Sequence, residues 1–161
     1  MIIIGCSGVG FKIAAIYIRE ERVLKELISV LNFMECELQY KFTPLPDLCR
    51  QAASYCSGSL SALFKSLTTE LEAQISPDVE RCMSYAISSH KELPSVTSNI
   101  LQKFGRTLGR FDIKGQLKGI EDIRSECQMN LNTLLENKDN RLRSYRTLAI
   151  CAGTAIAILF I

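Results

Sequence analysis

Histidine occurs once in the 161 residues, at His90, and the seven cysteines (6, 36, 49, 56, 82, 127 and 151) contain no closely spaced pair. Structural zinc sites draw on such short-spaced pairs, and Cys49 with Cys56 has no second pair to complete a set of four ligands. No metal or cofactor is expected, and the thiols are read as free, small core residues. Catalytic groupings are equally scarce. No Ser/His/Asp or Cys/His arrangement is suggested by position. Glycines 105, 109, 115 and 119 are not followed by Gly-Lys-Ser/Thr or preceded by a strand, so helix ends and close packing explain them better than a phosphate loop. The formal charge of +2 is too small to argue for a nucleic-acid partner. No stretch alternates with period two for long enough to make a strand, and repeats and low-complexity tracts are absent. The expected fold class is all-α.

What the chain does have is an apolar run at each end. Residues 1–18 are broken only by Lys12, and residues 147–161 carry no charge. As helices they are about 27 Å and about 22 Å long, somewhat short of a hydrocarbon core of about 30 Å. Arg19, Arg22 and Lys25 follow the first run, and Lys138, Arg141, Arg143 and Arg146 precede the second. Both inner flanks are basic, which predicts a cytoplasmic middle with both termini across the membrane. The expected organisation is an N-terminal transmembrane segment (1–18), a cytoplasmic helical bundle (19–146) and a C-terminal transmembrane segment (147–161). Buried helices of a soluble bundle are the alternative, because both runs are short.

Between the ends the apolar spacing is helical. Ile16, Val23, Leu27, Val30, Met34 and Leu38 recur at threes and fours, predicting one helix from the first run to about Tyr40. Thr43-Pro44-Leu45-Pro46 ends it. Four short helices are predicted next. The first runs from Pro46 to about Cys56, the second carries Leu60, Leu63, Phe64, Leu67 and Leu71 inward, and the third is capped by Ser76 with Pro77 at its first position. The fourth starts at Pro94, places Val96, Ile100, Leu101, Phe104 and Leu108 inward and stops at Gly109. From an N-cap at Asp112 a last helix continues to the C-terminus with Ile113, Leu117, Ile120, Cys127, Leu131 and Leu134 on one face. A helix that begins and a helix that ends in one membrane run antiparallel, so the two long helices form a stalk and the short ones a head.

Two groups stand out as partner-contact surface. Lys103, Arg106, Arg110, Lys114 and Lys118 put five positive charges against Asp112 alone, an excess suited to an acidic partner or lipid headgroups. Glu35 and Glu37 are the second group. They lie two apart and point to different sides of a helix, so they do not act as paired catalytic carboxylates.

Glu35-Cys36-Glu37-Leu38-Gln39-Tyr40-Lys41-Phe42-Thr43-Pro44-Leu45 matches an E-x-E-hydrophobic-x-Y-x-x-T-P-L signature, and Phe104-Gly105-Arg106-Thr107-Leu108-Gly109-Arg110-Phe111-Asp112 matches F-G-x-x-L-G-x-x-D. In these motifs, in length and in its apolar ends, the chain resembles the stage III sporulation protein AB family. The resemblance implies a non-enzymatic component of the mother-cell-to-forespore channel complex, in the outer forespore membrane with its helical domain in the mother-cell cytoplasm. The family is similar to the F-type platform domains of type II secretion and type IV pilus machines, which couple a cytoplasmic ATPase to a membrane ring. The implied partners are other channel subunits and a motor ATPase, stage III sporulation protein AA. This chain has a single helical module where those platforms have more, so a homo-oligomer is possible. Tyr40, Thr43, Pro44 and Leu45 then shape the first helix's exit, while Phe104, Gly105, Leu108, Gly109 and Asp112 shape a helix end. A membrane-tethered regulatory or ligand-binding helical module is the rival reading.

Overall fold

The structure is a computed structural model. It describes the backbone of residues 2–41, 43–73, 78–108 and 112–159, and the side chains of 16–41, 43–73, 78–108 and 112–137. Among the described residues six helices follow one another: α1 (Ile2–Tyr40), α2 (Leu45–Tyr55), α3 (Gly58–Glu72), α4 (Val79–Ser89), α5 (Ser95–Thr107) and α6 (Ile113–Leu159). The described residues contain no strand.

The predicted stops are the observed ones in most places, and each has a local cause. Pro44 occupies the N-cap of α2, with Pro46 in its first turn, where a missing N–H costs nothing. Pro94 does the same for α5. Asp112 starts α6: its carboxylate accepts from the Gly115 N–H at 3.1 Å and its carbonyl from Gln116 at 2.9 Å. Between α2 and α3 the chain turns through Gly58 at φ 56°, a conformation that suits a residue without Cβ. The α4 cap differs from the expectation. Asp78 is the N-cap and accepts from the Glu80 N–H at 3.1 Å, while Ser76 and Pro77 lie outside the described residues. Helix α5 ends at Thr107, before Gly109, which is also outside them.

The core is continuous across all six helices. Val23, Leu27, Val30, Met34 and Leu38 are buried as their spacing predicts, joined by Leu24 and Leu31, and they meet Leu48, Leu60, Leu63, Phe64, Met83, Ile100, Leu101, Phe104, Ile120 and Cys127. Two predicted core positions are corrected. Ile16 and Ile113 are 61% and 41% exposed, because each lies beyond the stretch where α1 and α6 face the short helices.

Alternating direction follows from the short connections, each helix packing on the next. The α1–α6 pairing closes the bundle. Glu35 on α1 pairs with Arg124 on α6, and buried positions run from Val23 to Leu38 on one helix and from Ile120 to Leu134 on the other. With Glu35 opposite Arg124, only an antiparallel pair brings both buried sets into register. The N-terminal part of α1 and the C-terminal part of α6 therefore leave the head at one end. Among the described residues no helix is long and apolar enough to cross a membrane. The proposed transmembrane segments, apart from 16–18, fall outside the residues whose side chains are described.

Candidate functional site

Each end of the head has its own set of ties. At the end where α1 and α6 continue outward, called the near end, the α4–α5 turn meets α1 through Arg19 and Glu92 at 3.1 Å. The start of α3 meets it through Glu26, which accepts from the Ser57 hydroxyl at 2.7 Å and the Ser57 N–H at 3.2 Å. His90 lies in the same region, its Nε2 2.9 Å from the Ser66 hydroxyl.

The far end collects both sequence motifs. Here α1, α3 and α5 finish and α2, α4 and α6 begin. Glu37 is corrected from an exposed contact to a buried one, 7% exposed. Its carboxylate accepts from Lys41 Nζ at 2.7 Å and from the Thr43 hydroxyl at 3.1 Å, tying the last turn of α1 to the exit that Pro44 shapes. The Lys41 ammonium and the Thr43 hydroxyl hold the Glu37 carboxyl below its usual 4.5. Leu45 is partly buried against the core, whereas Tyr40 is 72% exposed.

In the second motif, Phe104 and Leu108 are buried and anchor the end of α5. Gly105 is where α5 meets α4: a Cβ there would lie 2.7 Å from Met83 Cβ. Gly119 plays the same part where α6 crosses the end of α5, since a Cβ would lie 1.8 Å from Thr107 Cγ2. These two glycines are contact points between helices, the role that spacing favoured over a phosphate loop.

The basic group is less uniform than its sequence suggests. Lys103 pairs with Glu126 at 2.6 Å and Arg106 with Glu80 at 2.8 Å, so each ties α5 to a neighbour. Lys114 and Lys118 are exposed, without an ion pair among the described residues. Arg110 lies outside those residues. Glu35 is likewise occupied, by Arg124, whose guanidinium also donates to the Asn32 side chain at 2.9 Å. The sequence does not reveal Arg124 as the partner of Glu35 or Glu80 as the partner of Arg106, because a cross-helix partner leaves no periodic signal on its own helix.

A cleft of about 390 Å³ lies between α5 and α6, lined by Asn99, Gln102, Lys103, Arg106 and Glu126 among others. Its charged groups already pair within the chain. Among the described residues no cluster of three His, Cys, Asp or Glu is placed to hold a metal ion. Cys49, Cys82 and Cys127 are buried, and burial pushes the Cys49 and Cys127 thiols up to about 12. Cys36, read as a core thiol like the rest, is exposed.

Stage III sporulation protein AB of Bacillus subtilis (strain 168) is 23% identical over 161 residues, covering 98% of this chain and 94% of that protein. A solved structure of stage III sporulation protein AB shares the fold with a TM-score of 0.68 at 21% identity, over 76% of this chain and 98% of that one. The family model described as stage III sporulation protein AB matches residues 1–161. The chain therefore belongs to the stage III sporulation protein AB family, and its role lies in sporulation.

Proposed function

We propose that the chain is a non-enzymatic platform component of the mother-cell-to-forespore channel complex. Its two apolar ends anchor it in the outer forespore membrane, its head lies in the mother-cell cytoplasm, and the far end receives a motor ATPase, stage III sporulation protein AA. The observation that carries this reading is the convergence of both motifs on the end of the head opposite to the one from which α1 and α6 continue. An element that couples a soluble motor to a membrane ring needs its docking surface and its anchor at opposite ends of something stiff. Here two long helices provide that link, joined along a continuous apolar seam and by Glu35 and Arg124. Basic residues on both inner flanks of the apolar runs favour the head on the cytoplasmic side.

Among the described residues, the docking charges narrow to Lys114 and Lys118. Lys103 and Arg106 hold helices together, and reversing Arg106 would set two carboxylates against each other at Glu80. The test uses full-length chain in lipid vesicles and the purified ATPase, with co-sedimentation at two salt concentrations. The variant Lys114→Glu with Lys118→Glu should bind less ATPase, the parent's binding should fall as salt rises, and stability should change by under about 0.5 kcal/mol. Equal capture by parent and variant at low salt would refute docking through this surface.

A further inference from the structure

The outward face of the α1–α6 pair carries two stripes that complement each other. We propose that a second copy of this chain packs on that face about a two-fold axis running along the long helices. The proposal rests on the platform reading only in that a shared membrane holds two copies upright at one level.

On α1, Arg22, Ser29 and Cys36 recur every seventh residue; on α6, Asp122, Met129 and Glu136 do the same. All six are exposed. Seven-residue spacing keeps side chains on one narrow line of a helix, so each set of three presents one line to solvent. The Glu35–Arg124 pair fixes a common level on the two helices. From that level Arg22 lies about 20 Å and Glu136 about 18 Å toward the near end, at about 1.5 Å per residue. By the same measure Ser29 and Met129 lie about 9 Å and about 8 Å in that direction. Cys36 and Asp122 both fall within about 3 Å of the level on its other side. The two stripes are thus read in opposite directions in nearly the same register.

A two-fold axis along the helices sets α1 of one copy against α6 of the other, antiparallel and at equal height, and repeats every contact twice. Arg22 then meets Glu136 of the second copy. Neither residue has an ion pair among the described residues of its own chain. Met129, 67% exposed, enters the space over the small Ser29, beside the Phe33 and Tyr55 rings, which stack with centroids 4.0 Å apart. Cys36 faces Asp122. Pairing α1 with α1 instead would set Arg22 against Arg22, which like charge disfavours. A second copy is therefore the occupant that the charges select.

The test measures the dimer dissociation constant of full-length chain in detergent by sedimentation. Arg22→Glu and Glu136→Arg alone should each weaken the dimer about tenfold, because each places two like-charged pairs in the interface. The two together should restore it to within about threefold. Asp122→Cys should crosslink to native Cys36 between copies, seen as a dimer-sized band on a non-reducing gel with the linkage located by peptide mapping. Failure of the double variant to recover, or single variants as dimeric as the parent, would overturn the proposal. Membrane fractionation of the same variants reads the platform idea separately. Rescue in a chain that does not partition into membrane would contradict that idea and leave this interface standing.

Discussion

Replacing Phe104 with alanine probes the buried packing at the far end. Phe104 is fully buried in the last turns of α5, between Leu101 and Leu108, which are also buried. Its neighbour Gly105 is seated on Met83, so α5 cannot move toward α4 to fill the space. Truncating a buried phenylalanine in a site that cannot collapse costs about 3 to 5 kcal/mol. Leu45, in the other motif, is only partly buried and sits at the first position of α2, where the chain can adjust. Its truncation should cost less than about 2 kcal/mol. Urea unfolding of full-length chain in detergent, followed by helical circular dichroism, gives both values, with the slope showing whether the transition stays two-state. Phe104→Ala costing under about 1 kcal/mol, or no more than Leu45→Ala, would refute the packing assigned to this end.

Three further outcomes follow from particular contacts. Glu37 has a folded-state value below 4.5, so its stabilising contribution is complete above that pH and is lost as the pH falls through the folded value; unfolding midpoints from pH 6 to 3 should fall less steeply for Glu37→Gln than for the parent. Gly119→Ala should lower stability, because about 1 to 3 kcal/mol of overpacking against Thr107 outweighs up to about 1 kcal/mol of gained helix propensity, and adding Thr107→Ser should recover part of the loss. Of Cys36, Cys49, Cys56, Cys82 and Cys127, maleimide should modify Cys36 first in the native protein, as peptide mapping would show, since burial pushes the Cys49, Cys56 and Cys127 thiols up to about 12.

Most helix boundaries were legible because they rest on local chemistry. Prolines at 44, 46 and 94 and the carboxylate of Asp112 act within one turn, and the threes-and-fours spacing that marked Leu27 and Met34 is a property of a single helix. The character of the charged residues was not legible. Glu37 reads as an exposed acid until Lys41 and Thr43 fold back over it, and Lys103 and Arg106 read as free cations until Glu126 and Glu80 arrive from other helices. What a charge meets across a helix interface depends on crossing angles and register, which the pattern along one helix does not encode. The two motifs fall together at the far end because the glycine and proline positions they contain are where helices start or meet closely.

Docking of the motor ATPase at the far end of the head, opposite the proposed membrane anchor, is open to a direct test. Site-specific photo-crosslinking in sporulating cells tests it most directly, with one probe at exposed Ile113 beside the far-end lysines and another at exposed Ser88 near the α4–α5 turn. The ATPase should be captured from Ile113 and not from Ser88. Capture from Ser88 alone, or from neither position while the protein is present in the membrane, would contradict it.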